Sequence, residues 1–476
     1  MNCKQNLKDG PQMKLQRGLD NRHVQLIALG GAIGTGLFMG SGKTISVAGP
    51  SIILVYAIIG CALYFVMRAM GELLLSNSQY RSLIDFSTDM LGPGIAFFVG
   101  WNYWLSWVVT GAADIIAIIN YMHFWWPTLN SWIVVFSCIG FFLILNLLAV
   151  KFFGELEFWF GLIKVVAILA LVIVGFYMIV TGFTSPNGTV ASLNHVWNGG
   201  NIFPRGITGF FAGFQIAIFS FVGIEIAGTT AAEVKEPKKI LPKAINAIPV
   251  RIVLFYILSL AVIMSVTPWN QIVPEKSPFV SMFWLAGIPI AAGLVNFVVL
   301  TSAASSANSG IFSTSRMIYG LATQKGAPPI LGKLSKYHVP ANALFFSCLC
   351  ILVGYTIASS SPSIISAFTI VTSISAIAFL FVWSVILISY IVYRRNHPHL
   401  HAESVYKMPG GVIMCGLVLV FFAFMLYLLT LEHDTLTALK YSIFWFIFLG
   451  IMYFIFIEKK SLQRTNKIYT KHLQKG

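Results

Sequence analysis

Asp114, Lys164 and Glu225 are ionisable side chains set in long apolar runs. A charge at the middle of a bilayer costs about 2.5–3.5 kcal/mol even on the insertion scale, so each marks a candidate functional position. Lys164 sits roughly eight residues, or about 12 Å of helix, into its run, a depth from which snorkelling to the surface is strained. Two roles fit it: exchange of a proton, or a permanent ion pair. Glu225 is a second protonation candidate or a group that orients the backbone beside it, and Asp114 is the third coupling candidate.

Backbone groups offer a different chemistry. The run at 24–47, VQLIALGGAIGTGLFMGSGKTISV, is long enough to cross a bilayer, which takes about 20 helical residues. Gly30, Gly31, Gly34 and Gly36 occupy its centre, and each costs about 1 kcal/mol against alanine inside a helix. We read a broken helix. Broken backbone persists at membrane depth only where protein or a water-filled cavity satisfies the freed amides and carbonyls. An outer half-helix starting near Gly34, Thr35 and Gly36 would aim unpaired N–H groups, with positive partial charge, at an anion such as a carboxylate.

The run at 207–232, ITGFFAGFQIAIFSFVGIEIAGTTAA, reads as a matching second break, with Gly223 after its apolar stretch and Glu225 just beyond. Carbonyls around Phe219, Ser220, Phe221 and Val222 suit an ammonium group. Ile33, Gly34, Thr35 and Gly36 from the first break, with Phe219, Ser220, Phe221 and Gly223 from the second, are therefore the expected substrate-binding set for a zwitterion. Two bland uses compete: glycines also permit close helix packing, and aromatic residues within a span usually pack.

These positions are held by a chain that is 57% apolar over 476 residues. With a mean hydropathy of +0.81, it reads as an all-α polytopic membrane protein. The expected spans are 24–47, 51–70, 95–122, 131–150, 156–182, 207–232, 244–267, 279–315, 341–359, 363–393, 410–430 and 438–458. Paired interruptions at corresponding places suggest two inverted repeats, 24–182 and 207–393, followed by two further helices within 410–458 and flanked by tails at 1–23 and 459–476. The polar start leads straight into the first span without a small-residue cleavage site, so that span is expected to be retained.

The net charge of +15 would suggest nucleic acid in a soluble protein. Here the spans leave only Lys43, Arg205, Lys276 and Lys440 on one side and nearly all other basic residues on the opposite side. That asymmetry predicts cytoplasmic termini and affinity for anionic lipid, with no nucleic-acid partner. The tract TSAASSANSGIFSTS at 301–315 suits close helix packing, or lines a cavity with some of its hydroxyls.

Other motifs carry little. The six cysteines lack zinc-type spacing and read as packing residues. GSGKT at 40–44 resembles half a phosphate loop, but Leu37 stands where the first glycine is required. In HPHLH at 397–401, an extended chain would place His397, His399 and His401 on one face, yet a polar loop is the simpler reading than a metal site. No HExxH or GxSxG pattern marks an enzyme, and no cofactor is expected.

GGAIGTGLFMGSG at 30–42, AAEVKEPKKILPKAIN at 231–246 and VLTSAASSANSG at 299–310 together resemble the amino acid transporter family of the amino acid-polyamine-organocation superfamily. The match runs over nearly the whole length. The resemblance implies 12 transmembrane helices in a LeuT-type five-plus-five inverted repeat, with discontinuous helices 1 and 6 and two additional C-terminal helices, in a bacterial inner membrane. It implies import coupled to protons, a carboxylate site at Gly34, Thr35 and Gly36, an aromatic gate at Phe219 and an acid at Glu225. It also implies a lysine at Lys164 in the place of a sodium ion. Ala307 and Asp114 depart from the tyrosine and glutamate of relatives with larger cargo. The expected cargo is glycine, alanine and serine, in either hand for the chiral ones, because a pocket that grips only the two charged groups discriminates chirality poorly. Rival readings are a permease for a larger amino acid, such as proline, an aromatic or a basic one, and a nutrient sensor on a transporter scaffold.

Overall fold

The computed structural model describes residues 33–77, 80, 82–147, 150–197, 200–226, 236–335 and 339–455, with the backbone alone at 150–154 and 237. Among these residues the chain is almost entirely helical. Nine helical stretches are long and apolar enough to cross a membrane, and Ser131–Leu147 and Gly206–Phe221 are shorter apolar helices.

The first helix, α1, opens with a π-helical turn at Gly36–Gly40 and continues as Ser41–Ala48. After it come α2 (Ile52–Ser76) and the short α3 (Leu83–Leu91), whose start is fixed by a reciprocal Ser82–Asp85 capping box. Gly92, at φ +89°, and Pro93 then restart the chain as α4 (Pro93–His123). The next two are α5 (Ser131–Leu147) and α6 (Val150–Val180). The second half begins with α7 (Gly206–Ala217), α8 (Pro237–Asn246) and α9 (Ser259–Val266), the last continuous with the π-helical Ile252–Leu258. It goes on through α10 (Pro278–Leu285), α11 (Pro289–Thr323), α12 (Ala341–Ala358) and α13 (Ile364–Asn396). A short α14 (Pro398–Glu403) leads to α15 (Gly411–Leu428) and α16 (His433–Tyr453).

One expected span is divided. The run 279–315 splits into α10 and α11 at Gly287, which takes φ +77°, and Pro289, whose ring suits the first helical turn. α11 then continues to Thr323, beyond the expected end.

The centre of the molecule is α4, packed most extensively against α11 and α13. Its buried residues occupy every face of the helix, including Asn102, Ser106, Thr110 and Asp114. Helices α6, α15 and α16 are peripheral. Ile173, Phe176 and Tyr177 on α6, Ile413 and Val420 on α15 and Phe444 on α16 are large apolar side chains left exposed. Apolar surface of this extent fits hydrocarbon rather than water.

At one end of the bundle Glu72, completely buried on α2, joins elements far apart in sequence. Its Oε2 accepts hydrogen bonds from the Tyr390 hydroxyl (3.0 Å) and the Met408 N–H (2.7 Å), and its Oε1 lies 2.5 Å from His401 Nδ1. Arg68, one turn earlier, binds Asn246 Oδ1 at 2.7 Å, covers the Tyr406 ring and donates to the Lys407 carbonyl. Residues 398–403 are helical, not extended, with His397 at the junction before them, and His401 serves as a partner of Glu72. Removing one member of such a buried set strands the others, so Glu72→Ala is expected to destabilise the protein by about 3–5 kcal/mol. Denaturant unfolding in detergent measures that loss.

Candidate functional site

At the first break, Ile33 and Gly34 lie in a bend and the helix starts at Thr35 and Gly36. The N–H groups of Leu37 and Phe38 both bond to Gly34 O at 3.2 Å. The N–H groups of Gly34, Thr35 and Gly36 find no backbone acceptor among the described residues, as at a helix N-terminus. Ile33 O accepts from Ser302 Oγ at 3.1 Å, and Thr35 Oγ1 donates to Asp114 Oδ1 at 2.7 Å. The inner half of this span, with Gly30 and Gly31, lies outside the described residues.

At the second break α7 ends at Ala217, tightens to a 3-10 turn over Ile218–Phe221 and unwinds. Val222 is extended in ψ (134°) and Gly223 takes φ +98°, a conformation that favours glycine. Most of the expected acceptors are already engaged. Phe219 O accepts from Val222 N–H, Phe221 O from Ile224 N–H, and Ser220 O from the Tyr256 hydroxyl at 2.9 Å. Only Val222 O, of those four carbonyls, has no donor among the described residues. Its neighbours also have fixed places: the Ser220 hydroxyl shares a hydrogen bond with Tyr56 (2.9 Å), Phe221 stacks on Tyr256 at 4.9 Å and Phe219 meets Phe368 edge-on.

The two breaks touch. A Cβ added to Gly36 would stand 2.5 Å from Ser220 Cα, a backbone-to-backbone approach open only to glycine, whereas one on Gly34 would meet Ser306 Oγ at an ordinary 3.7 Å.

Asp114, Lys164 and Glu225 are all completely buried. Through Thr35, Asp114 ties α4 to the first break, and its Oδ2 has no hydrogen-bond partner among the described residues. Glu225 accepts from the Gly223 N–H at 3.2 Å and so braces the second break, and the Trp383 indole stands beside its carboxylate. Lys164 Nζ donates to Ser305 Oγ at 3.2 Å on α11. The structure thus places Asp114 and Glu225 at the breaks and Lys164 on the α6–α11 face beside them.

Glu157 is missing from that ionisable trio although it is the second residue of the expected span at 156–182. It is 3% exposed, and accepts from Ser305 Oγ (2.9 Å) and Asn308 Nδ2 (3.3 Å). Its spacing of two helical turns from Lys164 is the signal that finds it. The 301–315 tract does more than pack: Ser302, Ser305 and Asn308 each bond a group on another element.

GSGKT is ordinary helix, with Thr44 Oγ1 bonded to Gly40 O and Lys43 Nζ reaching Glu432 (2.6 Å) and Thr369 (3.1 Å). Among the described residues no group of His, Cys, Asp and Glu could hold a metal ion.

The profile of the family described as amino acid permease matches residues 23–467. The chain belongs to that family. Among its relatives, a D-serine/D-alanine/glycine transporter of Escherichia coli is 60% identical over 96% of this chain and 97% of its own. The amino-acid permease AapA of Bacillus subtilis is 50% identical over 93% of this chain and 96% of its own. The DL-alanine permease SerP2 of Lactococcus lactis is 42% identical over 95% and 98%. The chain is therefore a multi-pass membrane permease that transports amino acids, and not an enzyme.

Proposed function

We propose that this permease imports small neutral amino acids, D-serine, D-alanine and glycine with L-alanine as further cargo, together with protons, across a bacterial inner membrane. Its twelve spans form two inverted repeats of five plus two more helices, and both termini are cytoplasmic. The contact between the two breaks carries the reading. It puts the positive end of α1 against the unwound turn after α7, which supports a substrate carboxylate on the N–H groups of Gly34, Thr35 and Gly36. The ammonium group falls to Val222 O and to Asp114 Oδ2, two acceptors near the breaks without a donor among the described residues. The 60% identity to a transporter of D-serine, D-alanine and glycine supports the cargo.

Phe219 borders the site and Phe221 holds it from behind, since Tyr56 and Tyr256 flank its ring. Lys164, Asp114 and Glu225 are the proton-coupling groups. Uptake into proteoliposomes, with unlabelled D- and L-amino acids as competitors and with an uncoupler, tests this function. Strong competition by glycine and both alanines is expected, and competition led by proline, aromatic or basic amino acids would replace the cargo. Binding without translocation would favour a sensor.

An outer gate accompanies the site. A Cβ on Gly42 would lie 2.7 Å from Lys276 O and 3.1 Å from Pro274 O, and Asn120 Nδ2 holds Glu275 O at 2.8 Å. The loop at 273–276 thus seats on the backbone of α1. Gly42→Val is expected to keep that loop lifted and to slow transport at least about fivefold, as overpacking of 1–3 kcal/mol implies. Labelling of Lys276→Cys by an external thiol reagent, faster in the Gly42→Val background, checks it.

A further inference from the structure

We propose that Ser305 and Glu157 form the inner leg of the proton path, carrying to the cytoplasmic side the proton that Lys164 releases. This rests on the proton-coupled reading above and on the orientation given there. Three observations carry it. Glu157 and Lys164 stand on one face of α6, two turns and about 10 Å of rise apart, with Glu157 nearer the cytoplasmic end. The Ser305 hydroxyl lies between them, accepting from Lys164 Nζ at 3.2 Å and donating to Glu157 Oε2 at 2.9 Å, so both hydrogen bonds point the same way. All three side chains are buried, and Asn308 Nδ2 occupies Glu157 Oε1, itself held by Asn146 at 2.8 Å, which leaves Oε2 to receive a proton.

The step balances without a co-reactant. One N–H bond of the Lys164 ammonium breaks as its proton passes to Ser305 Oγ, and the Ser305 O–H proton passes to Glu157 Oε2. A neutral amine and a carboxylic acid result, and the serine remains a hydroxyl. Glu157 then gives its proton to cytoplasmic water when the protein opens inward, and the Ser305 hydroxyl turns back. Lys164 regains a proton from the outer side, where Asp114 is the charged group whose field it feels. One proton crosses per cycle and every side chain returns to its starting state.

Glu157→Gln, Ser305→Ala and Ser305→Thr in proteoliposomes test the relay by three readouts: counterflow of labelled glycine without a gradient, uphill accumulation under an imposed pH gradient, and proton entry reported by a trapped dye. Glu157→Gln and Ser305→Ala are expected to retain counterflow and to lose accumulation and coupled proton entry at least about tenfold, as loss of a positioned proton acceptor implies. Ser305→Thr, which keeps the hydroxyl, is expected to restore both. Full accumulation in Glu157→Gln overturns the proposal, as does loss of counterflow and accumulation together in Glu157→Gln while Ser305→Ala stays wild type. A Lys164→Ala variant that still accumulates glycine would instead remove the coupled reading beneath it.

Discussion

Gly36→Ala is expected to lower glycine uptake by about fivefold to 160-fold, the range that 1–3 kcal/mol of overpacking produces. The new methyl group would lie 2.5 Å from Ser220 Cα and 2.8 Å from Ser220 N, so backbone and not a movable side chain must give way. Moving that turn also disturbs the hydrogen bonds that Ser220 makes with Tyr56 and Tyr256. Gly34→Ala is the control, because among the described residues its methyl group meets only Ser306 Oγ, at 3.7 Å. It should fold and insert normally, with its effect confined to KM for the amino acid. Initial uptake rates, normalised to protein in the membrane, give the comparison. Equal uptake by wild type and Gly36→Ala would mean that the two breaks separate freely and do not form one site.

Lys164→Ala is expected to abolish uphill accumulation, so that internal glycine only levels with the outside, while exchange of labelled for unlabelled glycine continues. The reason is placement. Lys164 bonds Ser305 and lies within the field of both Asp114 and Glu157, whereas the Gly36–Ser220 approach and the Thr35–Asp114 and Gly223–Glu225 bonds that shape the two breaks are made by other residues. Under the proposed function, proton movement through Lys164 is therefore separable from substrate binding. Accumulation ratios under an imposed pH gradient, beside counterflow without one, measure the separation, and undiminished accumulation in the variant would retire Lys164 from coupling.

The parts of this design that were legible in sequence share one property: they violate a local rule. Glycines inside a run long enough to span, and charges inside apolar stretches, each cost free energy where they stand, and that cost singles them out. Gly34, Gly36, Gly223, Asp114, Lys164 and Glu225 stand out this way. Partners that violate nothing locally were not. Tyr56 and Tyr256 are ordinary apolar-run tyrosines until the fold brings both to Ser220, and Glu72 meets His401, Tyr390 and Met408 only across more than three hundred residues. The carbonyls of 219–221 were read as free for a substrate because their own turn hydrogen bonds, and the one from Tyr256, depend on dihedral angles that sequence does not print. The split of 279–315 was signalled by Gly287 and Pro289, but apolar content on both sides masked it.

The account stands on one arrangement: a zwitterion held at both ends by main-chain groups of two interrupted helices, with the Asp114 carboxylate beside them. Displacement of labelled glycine from the purified permease by analogues that each lack one charge tests this most directly. Glycine methyl ester lacks the carboxylate and N-acetylglycine lacks the ammonium group. Each is expected to compete at least about a hundredfold more weakly than glycine, because each leaves buried polar groups without a partner. Displacement by either analogue at the concentration effective for glycine itself would contradict the account.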